Sequence, residues 1–224
     1  MNAERRVTLK SRAQIERMAA AGQLVADVLD RVGREIRPGV ATIELDRLAE
    51  EHIRSAGAIV DGWHGDAART WILGEVPEAT RRLVETTERA MYAGIAAAVA
   101  GSHLSDISGA IEDVATTAGY GIVRAFVGHG IGTEMHEEPQ LTNYRSGARG
   151  RRLEPGLCLA IEPMFTLASH EVRVRDDGWT VVTADGSLAA HWEHTIAITE
   201  EGPRILTAGT AGARLGRADE RVPA

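Results

Sequence analysis

Two residue types are nearly absent from this chain. Its 224 residues include one cysteine, Cys158, and one lysine, Lys10. A single thiol excludes an intrachain disulfide and a zinc site built from several thiolates, and it fits a reducing cytoplasm. With one lysine, all the other basic residues are arginine, a bias that a GC-rich genome explains more simply than any function. Basic charge is not in excess either. Lys+Arg number 25 against 32 Asp+Glu, a formal net charge of −7, so the chain lacks the basic face with which a nucleic-acid binder neutralises phosphates. Nor is there a long apolar run. The longest, residues 90–100, falls short of the roughly 20 residues that cross a bilayer as a helix. The opening Met1-Asn-Ala-Glu-Arg-Arg6 has no apolar core of the kind a signal peptide needs. A hydrophobic share of 44% and a charged share of 25% are ordinary for a globular chain and exclude wholesale disorder and a collagen-like repeat. The expectation is one cytoplasmic domain over 11–207, monomeric, with no membrane and no specific nucleic-acid partner. A lead-in at 1–10 and a disordered tail at 208–224 flank it.

Ser11 followed by Gln14 is a capping box. Ile15, Met18, Leu24, Val25, Val28, Leu29 and Val32 then recur at helical spacing until Pro38-Gly39. A second helix is predicted over 42–56, with Ile43, Leu45, Leu48 and Ile53 on one side. Residues 58–60 and 71–73 read as strands around an Asp61-Gly62 turn. The same order then repeats. Pro77 opens a helix that ends before Gly101, and a shorter helix spans 105–118 and closes at Gly119. Strands follow at 122–127, 157–165, 172–175, 179–183 and 193–199, with turns at Asp177-Gly178 and Asp185-Gly186. This is an α/β (α+β) pattern of two helix–helix–β halves. The first half has too little sheet to bury much helix surface.

Four residues sit in settings that invite chemistry. Asp66, in Asp61-Gly-Trp-His-Gly-Asp66, is either a turn aspartate or a ligand. His129, in Gly128-His-Gly-Ile-Gly132, lies where glycines allow close backbone approach, in a loop or at a ligand site. Glu162, in Cys158-Leu-Ala-Ile-Glu-Pro-Met164, ends an apolar run, and a carboxylate buried there is costly unless paired or metal-bound. Glu193, in His191-Trp-Glu-His-Thr195, is a solvent-facing strand glutamate or a fourth ligand. Three carboxylates and an imidazole suit a divalent ion such as Mn, Fe, Co or Zn. Carboxylates also bridge paired ions that activate water and polarise a scissile carbonyl. His136, in Met135-His-Glu-Glu-Pro-Gln140, could donate to that carbonyl or to its oxyanion.

These five stretches, with Ala160-Ile-Glu-Pro-Met164 as the fourth, resemble those of type I methionine aminopeptidases, and they occur in that family's order between about residues 8 and 206. The resemblance implies a pseudo-twofold pita-bread fold and removal of the initiator methionine from nascent peptides whose second residue is small. It implies that Asp66 and Glu193 bridge two ions and that His129 and Glu162 bind the first. Catalytic roles fall to His136, which contacts the peptide and stabilises the tetrahedral intermediate, and to Glu162 as proton shuttle. Trp179 would form a wall of the methionine pocket; without the resemblance it reads as a strand aromatic.

The resemblance has one break. The family carries another metal-binding aspartate eleven residues before the position of Asp66, and here that position is Ser55. The family's preceding strands, with a pocket loop and a second substrate-contacting histidine, have no counterpart. Glu50-Glu-His-Ile-Arg-Ser-Ala-Gly57 runs almost directly into Ala58-Ile-Val-Asp61, so the first half is truncated in its sheet. Neither His52 nor His64 replaces the missing groups. One ion is therefore expected where the intact family holds two, together with impaired turnover. The opposing expectation is a non-enzymatic pita-bread paralogue that binds one metal or a partner. A creatinase- or prolidase-type enzyme would carry a large N-terminal domain. A type II methionine aminopeptidase would carry a long insertion where only 25 residues separate His136 from Glu162. Arg145, Arg149, Arg151 and Arg152 either make a transient ribosome contact or belong to a solvated loop near the site.

Overall fold

The computed structural model describes residues 7–56 and 61–208. The predicted strand at 58–60 and all but the first residue of the predicted tail lie outside them.

Helix α1 (Arg12–Glu35) starts at the predicted capping box: the Ser11 hydroxyl accepts from the Gln14 N–H, and the Gln14 side chain accepts from the Ser11 N–H. Helix α2 (Thr42–Ala56) has the predicted bounds. Strand β1 is only Ala67–Ala68. Helices α3 (Glu78–Ala97) and α4 (Leu104–Ala118) follow, the latter stopped by Gly119 at φ 75°. Its cap is His103, whose N–H donates to Asp106. Short strands complete the chain: β2 (Gly121–Ile122), β3 (Gly128–Gly130), β4 (Glu137–Leu141), β5 (Cys158–Ile161), β6 (Met164–Thr166), β7 (Val172–Val174), β8 (Val181–Thr183), β9 (Ala189–His191), β10 (Glu193–Thr199) and β11 (Gly202–Ile205).

The main sheet has the order β1-β10-β5-β3-β4, with β11 on the other part of β10. Strands β2-β6-β9 form a second sheet and β7-β8 a third. Every pairing is antiparallel, so the fold is α+β in detail rather than a parallel α/β layer. Helices α3 and α4 pack on the sheets over the larger core, which includes Met91, Ile107, Ile111, Leu159, Ile161 and Phe165. A smaller core under α1 is made of Ile15, Met18, Trp63, Ile131, Cys158, Ala197 and Leu206.

The two halves differ as the sequence leads one to expect. None of the side chains described in α2 is buried, and Ile43 is 53% exposed. Leu45, Leu48 and Ile53 are only partly covered. An amphipathic helix gains its stability from burying its apolar stripe, and this one leans mainly on α1.

Several local expectations need correction. Residues 71–73 are not a strand. The Trp71 indole instead lies against α1, its Nε1 2.9 Å from where a Cβ on Gly33 would stand. The run 122–127 is strand only at its first residue, and 157–165 is broken at Glu162-Pro163, because proline has no N–H to give a ladder. Strand β8 begins at Val181, after Trp179. Strands β3, β4 and β11 carry too much glycine, proline and charge to read as strands, and β9 is only Ala189-Ala-His191.

Candidate metal centre

Four predicted groups meet on one end of the main sheet. Asp66 directly precedes β1, Glu193 opens β10, Glu162 directly follows β5, and His129 is the middle residue of β3. Because these strands lie side by side, residues distant in sequence converge. His129 Nε2 stands 3.7 Å from Asp66 Oδ2 and 3.4 Å from Glu162 Oε1. Ligand atoms of Asp66, His129 and Glu193 all lie within 4.8 Å of one another, and so do those of Glu162, His191 and Glu193. Asp66, His129, Glu162 and Glu193 border an open cavity of about 370 Å³ that is also lined by His136 and Gln140 and by an apolar wall of Ala125, Phe126 and Val127. The His136 ring centroid is 4.4 Å from that of His129.

A second ring of contacts holds these groups in place. His129 Nδ1 lies 2.9 Å from the Gly130 carbonyl; an N–H there donates to it and leaves the Nε2 lone pair facing the carboxylates. Thr195, fully buried, accepts from the Asp66 N–H at 2.9 Å and donates to the Asp66 carbonyl at 2.8 Å. The Asn143 amide donates to the Glu162 carbonyl at 3.1 Å. Close packing sets the entry to Asp66. A Cβ on Gly65 would stand 2.8 Å from the Gly22 Cα, and one on Gly22 would strike the Leu206 carbonyl. Gly65 thus lets the Asp66 segment lie on α1, and Gly22 lets the Leu206 segment do so.

Burial sets the charge states. Desolvation pushes Glu162 up to about 8, with the Asp66 charge adding to it. Glu193 is raised well above the usual carboxylate range by desolvation and then by Asp66 and Glu162. Asp66 is raised by desolvation, against the opposing pull of His129 and His136. Desolvation lowers His129 and brings His191 down to about 4. His129 and His191 are therefore neutral at neutral pH and free to donate a lone pair, while three carboxylates oppose one another.

The donor set fits a divalent cation. No lysine or arginine lines the cavity among the described residues, and the buried Oε1 of Glu193 and Nε2 of His191 lack hydrogen-bond partners. Buried carboxylates without a counter-charge are costly. Oxygen and imidazole donors together suit Mn, Fe, Co or Zn.

In the metal-free protein Glu162 contributes stability that is complete below its ordinary value near 4.5 and is lost as pH rises through about 8. Burial lowers His129 and His191, so neither gains charge in this window. From pH 7 to 8.5 the melting temperature in chelator should therefore fall, while the gain on adding Mn²⁺ should grow, because metal needs the deprotonated carboxylates. Thermal scans with and without metal check both slopes; two flat lines would refute the assignment of charge states.

Other predicted residues stand apart. Trp179 is 88% exposed and does not line the cavity. It belongs to the turn between β7 and β8, where the Asp177 carboxylate accepts its N–H at 2.9 Å, so it is neither pocket wall nor strand residue in this structure. Ser55 is exposed in the last turn of α2, its hydroxyl donating to the His52 carbonyl. His52 lies 3.3 Å from an Arg31 guanidinium nitrogen, and His64 Nδ1 lies 3.2 Å from the Gly132 carbonyl. Arg145 pairs with Glu112 and Asp113, Arg151 with Glu154, and Arg152 donates to the Gly101 carbonyl, contacts that anchor a loop.

Two residues of the site escaped the sequence reading. Phe126 looks like a core aromatic, yet it is 38% exposed on the cavity wall. His191 was legible in principle: His-Trp-Glu in extended chain puts residues 191 and 193 on one side of the strand.

The profile of metallopeptidase family M24 matches residues 53–200. A methionine aminopeptidase of Clostridium acetobutylicum is 38% identical over 246 residues, covering 90% of this chain and 98% of its own. That alignment is longer than this chain, so the relative has residues with no counterpart here. The crystal structure of a methionine aminopeptidase from Rickettsia prowazekii superposes with a TM-score of 0.87 at 30% identity, over 90% of this chain and all of that one. A prolidase from Pyrococcus furiosus shares the fold at 20% identity and a TM-score of 0.74 over 65% of its length. With this pita-bread architecture, the match of the family profile and the identity to those enzymes, the chain belongs to metallopeptidase family M24, among its methionine aminopeptidases.

Proposed function

We propose that the chain removes N-terminal methionine from nascent peptides with a small second residue, through attack of a metal-activated water on the first peptide bond, with one ion held tightly. The convergence of Asp66, His129, Glu162 and Glu193 beside His136 and an apolar wall carries this proposal. A bound divalent ion supplies Lewis acidity and a water that is acidic near neutral pH. Asp66, His129, Glu162 and Glu193 would hold it.

Glu162, ionised with a cation beside it, takes a proton from the attacking water and returns it to the leaving amine nitrogen. His136, across the cavity, donates to the developing oxyanion. Phe126 and Val127 face the methionine side chain, and Gln140 is a polar group on the same cavity. The ligand aspartate expected eleven residues before Asp66 is replaced by Ser55, which points its hydroxyl into its own helix. One ion is then held well and part of the pocket wall is missing, so positioning suffers. A geometric loss of this kind costs about 10²-fold, and kcat/KM for a Met-Ala-Ser peptide should lie about that far below the Clostridium acetobutylicum enzyme.

Methionine release in the presence of Mn²⁺ or Co²⁺ tests the proposal. His136→Ala should lower kcat by about 10²–10³ with little change in bound metal, the cost of one oxyanion donor. An unchanged kcat in that variant would remove His136 from the mechanism. Absence of any metal-dependent release would favour the non-enzymatic alternative.

A further inference from the structure

His191 is not among the ligands the family resemblance assigns, yet it is built as one. It ends β9 two residues before Glu193 opens β10. Its backbone is held on both sides by Thr70, whose hydroxyl donates to the His191 carbonyl at 2.8 Å and accepts from the His191 N–H at 3.0 Å. Its Nε2 is buried, has no hydrogen-bond partner, and lies 3.8 Å from Glu162 Oε2. Glu193 Oε1 is buried and unpartnered in the same way. The ligand atoms of Glu162, His191 and Glu193 all fall within 4.8 Å of one another, and Glu193 also belongs to the group with Asp66 and His129. Two overlapping ligand triads that share a carboxylate are the arrangement of paired ions bridged by that carboxylate.

We infer that His191 is a metal ligand in a second, weaker cation subsite formed with Glu162 and Glu193, beside the ion held by Asp66, His129 and Glu193. The inference rests on the hydrolytic metal centre proposed above. An imidazole in place of a hard carboxylate shifts preference toward borderline ions, so Co²⁺ and Zn²⁺ should fill the subsite more readily than Mn²⁺. The subsite would give back to the centre a second ligand-bearing position that Ser55 does not supply.

Titrating the full-length metal-free protein with Co²⁺, followed by calorimetry and visible absorption, tests this. Two steps are expected, the first tight and the second weaker. His191→Gln should leave the first step in place and weaken the second by about tenfold or more, as loss of a group from a metal's surroundings does. His191→Cys supplies a positive signature: a thiolate-to-cobalt charge-transfer band should grow with the second equivalent only. Cys158 does not compete for it, since burial pushes that thiol up to about 12. Two steps unchanged in His191→Gln, or loss of the first step instead of the second, would overturn the inference. Absence of the first step in the unsubstituted protein would overturn the hydrolytic centre itself, and the two failures are thereby told apart.

Discussion

Glu162→Ala should release the ion and end methionine turnover together. Glu162 does two things in this geometry: it stands 3.4 Å from the His129 Nε2, and its carboxylate, ionised once a cation lies beside it, can take the proton of the attacking water. Losing a group that orients or completes a metal site costs about 10–100-fold in affinity, and losing a general base costs about 10²–10⁴-fold in rate. The expected fall in kcat/KM at limiting metal is therefore at least about 10³. Metal content after desalting and peptide cleavage separate the two effects. Glu193→Gln is the companion variant, because Glu193 belongs to both ligand triads and its loss removes metal without removing the proton carrier. It should also melt higher than the parent when both are metal-free. A buried carboxylate with an unpartnered oxygen and two charged neighbours opposes folding; relieving about 1 kcal/mol of that raises the melting temperature by roughly 2–4 °C at this size. Unchanged metal content in both variants would refute the site.

Lys10→Met should be the most damaging change far from the ligands. The only lysine in the chain is buried, its Nζ 2.6 Å from Glu137 Oε2 and 3.1 Å from the Thr8 carbonyl. Its N–H donates to the Gly156 carbonyl. Removing one partner of a buried pair leaves the other charge without compensation, a loss of about 3–5 kcal/mol. That corresponds to a drop in melting temperature of roughly 6–20 °C. Glu137 follows His136 directly and also accepts from the Glu134 N–H at 3.3 Å, so the loop that carries His136 should lose its anchor and kcat should fall as well. Lys10→Met with Glu137→Leu should recover most of the stability, since a buried pair replaced by apolar groups is often neutral or better. A single variant that melts like the parent would show that the pair contributes nothing.

The helices were legible because their signals are local. A capping box, helical spacing and a terminal glycine fixed α1, α2 and α4 nearly to the residue. Glu162 was legible as a candidate because a carboxylate at the end of an apolar run is costly unless paired, whereas Asp66 and His129 stood out only in company with it. Strands β3 and β4 were not, since Gly128-His-Gly130 and Glu137-Glu-Pro-Gln-Leu141 have poor strand propensity and are held in the sheet by β5 and by each other. Trp179 was misplaced because a role implied by resemblance depends on surrounding chain, and here the turn around Asp177 leaves it in solvent. His191 was overlooked for the opposite reason: the motif drew attention to Glu193, and only the fold brings the residue two positions back within 4.8 Å of Glu162 and Glu193. The bare face of α2 is the structural form of a shortage of strand that the sequence already showed.

The most direct measurement is metal uptake alongside methionine release from a Met-Ala-Ser peptide, on one preparation of the full chain. The account predicts one ion retained through desalting, a second taken up only at higher concentration, and slow release that disappears in chelator and in Glu162→Ala. Two ions retained with equal tightness and brisk turnover, or no bound ion and no release, would contradict it.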